Sequence, residues 1–350
     1  MSNPEYENAI AVIMKQIKKG NEKMKDSTLK TYTRMVRKMY ARMVESGLDT
    51  DIQMGLPKCI FVPADILKEI ETSWAVRDST KKNMISLMLS MCKGGAEEYP
   101  HGSGFENMYK EYRKAFDIIK ASNEAKQIKQ EPTEKEGALQ NIKFDELKRG
   151  LSYHFNKVRK LKADDIESAM LNMIGHIHID QVLRNECATM LMSREYLDKS
   201  SYPKTNFIWV KGRNHKLLVI RDNKVRNADR GDEPKEVYLK GAVNTAINKY
   251  ISVLANNDKV LGQTHNDRMP LIHSNKWEDG ECITSSHYSQ LFKKVWSKYD
   301  EDITTTSIRK IYAMDVREKY KGNLVKEKEA CEKLDHSQDT HNKHYILHFD

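Results

Sequence analysis

Asn206-Phe207-Ile208-Trp209-Val210, Leu217-Leu218-Val219-Ile220 and Glu236-Val237-Tyr238-Leu239 are three short runs of apolar, aromatic and β-branched residues. Turn-forming residues separate them, most densely between Asp222 and Pro234. Runs of this length bounded by Gly, Asn, Asp and Pro read as strands, here three strands of one small antiparallel sheet. The flanks read differently. Upstream, helical patterns cover Phe144 to Leu161, Ala163 to about His176, and a stretch around Val182 to Met192. Downstream, they cover Ala242 to Leu254, Ser285 to Trp296, Thr306 to Tyr320 and the C-terminal stretch. The fold class expected is therefore mainly α with a small antiparallel β-sheet.

The N-terminal third is helical without strands. Asp26 or Ser27 can cap a helix in which Leu29, Tyr32, Met35, Val36, Met39 and Met43 recur at helical spacing, with Gly47 as its stop. Its other face carries Lys30, Arg34, Arg37, Lys38 and Arg42, either a solvated face or a row of cations for phosphates. Patterns from Pro63 to Ile70, from Ser79 to Met91 and from Phe105 to Phe116 add further helices, enough for a small bundle. Between Lys126 and Gly137 the chain is polar, mixed in charge and broken by Pro132 and Gly137, a linker composition. The expected organisation is a basic segment at 1–25, a helical domain at 26–120, a linker at 121–142 and a second domain at 143–350.

The 350 residues suit about two domains. With 39% hydrophobic and 31% charged residues, the chain has the means for a core and no run of the ~18 apolar residues that a spanning helix needs. No membrane partner is expected, and the start Met1-Ser2-Asn3-Pro4-Glu5 has no secretion-signal character. Cys59, Cys92, Cys187, Cys282 and Cys331 are scattered, which argues for a reducing, intracellular compartment and against a disulfide framework or zinc ribbon. The net charge of +9 favours a polyanionic partner, nucleic acid first. No P-loop, HExxH motif or GxSxG elbow occurs. His341, His344 and His348 fall on one helix face but lack a Cys or carboxylate at ligand spacing, so neither metal nor cofactor is expected.

The C-terminal region carries the most specific signal. Leu334-Asp335-His336-Ser337 precedes Tyr345, nine residues after His336, and Thr306-Ser307-Ile308-Arg309 lies upstream on a helical pattern. In these residues the chain resembles the tyrosine recombinases, the phage-type integrases and their relatives. That family ends in a Leu-Gly-His-Ser-like turn followed by a nucleophilic Tyr, with a His-x-x-Arg motif before it. The resemblance extends to a first Arg before the sheet, matched by Arg184 in Leu183-Arg184-Asn185-Glu186, with Arg194 as runner-up. It also extends to a Lys between the second and third strands, matched by Lys224 with Lys216 as runner-up. It covers about Phe144 to Tyr345, and the N-terminal bundle matches the family's core-binding domain in size and helix content.

What the resemblance implies is a DNA strand transferase working through a 3′-phosphotyrosyl intermediate, in the integrase or resolvase of a virus or mobile element. Tyr345 would be the nucleophile, Arg184 and Arg309 the phosphate clamp, His336 a base or hydrogen-bonding partner, and Lys224 the acid for the leaving 5′-oxygen. Thr306 would stand where the family has its His. Two domains would clamp double-stranded DNA, and a monomer or dimer off DNA would assemble as a homotetramer on two sites. The place of action would be the host nucleus or cytoplasm for a viral protein and the cytoplasm otherwise. The chemistry fits these residue types. Guanidiniums stay charged and bind phosphate bidentately, and they stabilise charge that builds in the transition state. A phenol of pKa ≈ 10 needs help to attack. Three positions depart from the family pattern: Thr306 for His, Asp335 for Gly, and Cys187 for the Glu three residues after the first Arg. Type IB topoisomerases and hairpin telomere resolvases share the same chemistry, and a non-catalytic DNA-binding protein on the same scaffold is the alternative from another class.

Overall fold

The computed structural model describes residues 4–22, 24, 26–74, 77–99, 104–129, 137–139, 141–151, 165–222, 233–256, 268–273, 281–297 and 303–336. The chain divides into two units, Met1–Lys129 and Gln130–Asp350, a division inside the stretch read as linker. No helix among the described residues is long and apolar enough to cross a membrane.

In the N-terminal unit, α1 (Pro4–Lys19) buries Ile10, Ile13 and Ile17. The segment 1–25, expected as a separate basic stretch, thus contributes a core helix, because its isoleucines at i, i+3 and i+7 form a stripe between the lysines. Helix α2 (Asp26–Glu45) adds Val36, Met39 and Met43 to the same core. A short hairpin, β1 (Ile52–Gln53) with β2 (Leu56–Pro57), leads into α3 (Pro63–Glu69), which continues as a π-helical turn, Ile70–Trp74. Helices α4 (Asp78–Glu98) and α5 (Phe105–Lys129) complete the bundle. Helices α1 and α4 cross so closely that a Cβ on Gly94 would lie 1.9 Å from the Gln16 carbonyl oxygen, so only glycine fits. Helix α5 runs on through residues 121–129, read from composition as linker. Ala121-Ser122-Asn123-Glu124-Ala125-Lys126 includes good helix formers, and a helix already begun needs no apolar face to extend into solvent.

The C-terminal unit begins with a helical stretch over 144–151 and α6 (Ile166–Gln181), capped by the Asp165 carboxylate on the Ser168 amide at 2.9 Å. The stretch Val182 to Met192, expected as a helix, is instead a helix end, a 3-10 turn at Glu186–Thr189 and a short strand. Strands β3 (Leu191–Ser193), β4 (Phe207–Gly212), β5 (His215–Ile220), β6 (Lys235–Leu239) and β7 (Arg268–Pro270) form one sheet in the order β6-β5-β4-β3-β7. Every pairing is antiparallel except β3 with β4. The sheet packs Met192, Ile208, Leu218, Ile220 and Leu239 onto the main core with α6, α7 (Gly241–Ala255) and α8 (Ser285–Trp296). Its other face carries a small cluster of Leu197, Phe207, Leu217 and Val219. Helices α9 (Thr305–Lys319) and α10 (Leu324–Leu334) close the described chain.

Candidate active site

Helices α6 and α10 both end on a residue with positive φ that is not glycine: Val182 at 50° and Asp335 at 55°. For a β-branched residue this is strained backbone, and strain of this kind persists only where surroundings over-determine it. Here Arg309 does so. From α9, its Nη1 donates to the Val182 carbonyl at 2.6 Å and its Nη2 donates to the Leu334 carbonyl. Arg309 is 2% exposed. A buried guanidinium is tolerable there because it faces carbonyls at the negative ends of two helices.

Segments distant in sequence thereby meet. Arg184 follows Val182 by two residues and is half-buried. His336 follows Leu334 by two residues and is 1% exposed. The Thr305 hydroxyl at the start of α9 donates to the Asn185 side-chain oxygen at 3.0 Å, and the Asn185 amide donates to the Ser289 hydroxyl on α8. Thr306 is exposed on the first turn of α9, three residues before Arg309. The side chain of Glu186, which the sequence reading passed over, lies within electrostatic reach of both guanidiniums. Burial raises its pKa while Arg309 and Arg184 pull it down. The family pattern expects an acid three residues after the first Arg. Here that position is the buried Cys187, and the carboxylate is one residue earlier.

Beneath this layer the His178 Nε2 and the Tyr288 hydroxyl share a hydrogen bond of 2.7 Å in full burial. Burial pushes the His178 pKa down to about 3, so the ring is neutral, and pushes the Cys187 thiol up to about 12. These groups are buried and polar, His178 lies within electrostatic reach of Arg309, and none titrates near neutral pH.

The lysines sort by position. Lys216, the runner-up, lies near the start of β5, opposite Leu239. Its ammonium is buried and donates to the Arg213 carbonyl, Asn244 Oδ1 and Asn248 Oδ1 at 2.7–2.8 Å. Burial pushes its pKa down to about 8. Four residues along β5, about 13 Å at strand rise, Ile220 pairs with Lys235. That is the end of the sheet at which Lys235 reaches the Lys333 carbonyl of α10 at 3.1 Å. Lys224 belongs to the connection leaving this end but lies outside the described residues, as does Tyr345. Arg194, the other runner-up, is exposed just after β3. No group of three or more His, Cys, Asp or Glu among the described residues is placed to hold a metal, and His341, His344 and His348 lie outside them.

In the N-terminal unit the cations of α2 fall into two sets. Arg37 pairs with Glu7 at 2.8 Å and Arg42 donates to the Trp74 carbonyl. Lys30, Arg34 and Lys38 are exposed at four-residue spacing, with no ion-pair partner among the described residues. They line about 12 Å of helix.

No family model matches the chain, and no curated protein matches it. Among solved structures, the crystal structure of XerA recombinase is similar at 12% identity, with a TM-score of 0.37 over 98% of this chain and 94% of that one. Likeness of that degree fixes neither family nor chemistry.

Proposed function

We propose that the chain is a DNA strand transferase of the tyrosine recombinase type, cutting and rejoining duplex DNA through Tyr345. One observation carries the reading. Arg184 and His336, chosen from sequence on separate segments, each follow by two residues a carbonyl, of Val182 or Leu334, that accepts from the side chain of the third, Arg309. In this reading Arg184 and Arg309 hold the nonbridging oxygens of the scissile phosphate, and Glu186 holds the guanidiniums' orientation. The Tyr345 oxygen attacks phosphorus, its proton passes toward His336, and Lys224 protonates the departing 5′-oxygen. The 3′-phosphotyrosyl ester keeps the energy of the broken bond, and a 5′-hydroxyl of another strand reverses the step. Lys224 is preferred to its runner-up Lys216, whose ammonium is engaged by three acceptors. The reading also carries assembly of four protomers on two sites, a role in integration or resolution for a virus or mobile element, and an intracellular place of action.

One observation favours a non-catalytic DNA-binding role instead: Arg309 directs both terminal nitrogens to main-chain carbonyls and His336 is buried. A nicked suicide duplex, drawn from a library of candidate sites, separates the two. The strand-transferase reading expects a covalent protein–DNA adduct that is lost in Tyr345→Phe with binding kept. Site-specific binding without adduct on any duplex supports the other, and adduct persisting in Tyr345→Phe places the nucleophile elsewhere.

A further inference from the structure

The end of α10 accounts for all of its carbonyls. A helix leaves its last four carbonyls without an intrahelical donor, and here these belong to Cys331, Glu332, Lys333 and Leu334. The His336 amide donates to Cys331 at 3.1 Å and the Asp335 amide donates to Glu332 at 3.2 Å. Together with the left-handed Asp335 this is a Schellman motif. It leaves two carbonyls. Leu334 accepts from Arg309, and Lys333 accepts from the Lys235 ammonium at 3.1 Å. Two cations from two other elements, β6 and α9, thus finish the cap.

We propose that Lys235 is a positioning residue for His336. The assignment rests on the strand-transferase reading for its catalytic consequence, but not for its geometry. Lys235 has no place in the sequence motifs; it is the first residue of the edge strand β6 and is fixed there by pairing with Ile220. Its ammonium ties that strand to the penultimate carbonyl of α10, two peptide units from the left-handed Asp335 and three residues from His336. The left-handed turn at Asp335 carries the chain from α10 directly into His336, so the last turn of the helix sets where the His336 ring sits. Without Lys235 the Lys333 carbonyl loses its donor, the last turn of α10 loosens, and the His336 ring loses its fixed place. Misplacement of a catalytic group by about 1 Å costs up to about 100-fold in rate.

The test compares Lys235→Met, Lys235→Gln and Lys235→Arg in the full chain. Single-turnover adduct formation on the nicked duplex is expected to fall about 10- to 100-fold in Lys235→Met, with affinity for an uncut duplex within about two-fold of wild type. Lys235→Arg, which still donates to a carbonyl, is expected to restore most of the rate. The His336 ring resonances, assigned by comparison with His336→Gln, should move in Lys235→Met and return in Lys235→Arg. If Lys235→Met does not fold, Lys235→Gln is read in its place, since its amide, one bond shorter than the lysine side chain, stops short of the Lys333 carbonyl. Equal adduct rates in wild type and Lys235→Met overturn the proposal. A rate loss that Lys235→Arg does not restore while the His336 ring stays put also overturns it, because the ammonium then acts elsewhere. If wild type forms no adduct at all, the functional reading fails alone. The ring resonances then decide: an unmoved ring in Lys235→Met refutes positioning.

Discussion

Replacing Arg309 with Met should unfold the C-terminal unit well before it reveals anything about phosphate. The side chain is 2% exposed, and its two terminal nitrogens satisfy the Val182 and Leu334 carbonyls at the ends of α6 and α10. A hydrogen bond from a charged donor contributes about 1.5–3 kcal/mol, and a buried carbonyl left alone loses its desolvation cost outright. Two such bonds give about 3–6 kcal/mol, and Met recovers only part of the packing. The loss also removes a cation from beside the buried Glu186 carboxyl, whose pKa should climb further. Urea unfolding followed by tryptophan fluorescence in a Trp74→Phe background, which leaves only tryptophans of the C-terminal unit, reports on this unit. With an m-value near 2–3 kcal/mol/M, the midpoint should drop by about 1–3 M. A drop below about 0.3 M would refute the account of Arg309 as the tie between two helix ends. Loss of strand cleavage in this variant therefore says nothing about phosphate contact unless the folded fraction is measured beside it.

The remaining expectations address other parts of the molecule. Neutralising Lys30, Arg34 and Lys38 together to Gln should weaken duplex binding and reduce the slope of log affinity against log salt by about 2.7, roughly 0.9 per phosphate contact; Arg37→Gln, which breaks the Glu7 pair, should leave the slope unchanged. Burial holds the Lys216 pKa at about 8, below the ordinary lysine value of 10.5, so between those pH values the unfolded chain binds more protons than the folded one. Stability should therefore rise with pH across that window, and Lys216→Met should lose this rise when urea midpoints are compared at about pH 7.5 and 9.5. At Asp335, with φ of 55°, Val should be about 1–2 kcal/mol less stable than Gly by thermal unfolding, since a β-branched side chain clashes in the left-handed region. Equal stability of the two would remove the argument from backbone strain.

How much of this was legible in the sequence follows from the range of each interaction. The three longer strands showed themselves because period and composition are local: Phe207–Gly212, His215–Ile220 and Lys235–Leu239 overlap the runs read from sequence. Strands β3 and β7 have three residues each, too few for a period to register, and exist because neighbours pair with them. The order of Arg184, Arg309 and His336 was readable as a resemblance, but their joining through the Val182 and Leu334 carbonyls was not, because main-chain acceptors leave no trace in residue identity. Glu186 and Lys235 were missed for related reasons. The first sits one residue off the expected register, and the second is one of many lysines until its carbonyl partner is known. Helix α1 does carry a local signal, since Ile10, Ile13 and Ile17 form a buried stripe among the lysines.

The departures from the family pattern weigh differently once the backbone is considered. Asp335 stands where the resemblance expects Gly, which on residue identity alone looks like decay. In the fold that position is the left-handed end of α10, and Asp is among the few residues that enter this region at modest cost. The turn is then secured by two amides and two cations rather than by glycine's freedom. Cys187 for Glu is likewise offset, since the Glu186 carboxylate lies in the field of both arginines from the neighbouring position. Thr306 has no such replacement. It is exposed at the first turn of α9, and the hydroxyl that reaches across to Asn185 belongs to Thr305. At two of the three departures the fold thus supplies a left-handed turn and a carboxylate from other residues. At the third, Thr306 supplies no imidazole, and the chemistry proposed for Tyr345 must run on His336 and Lys224.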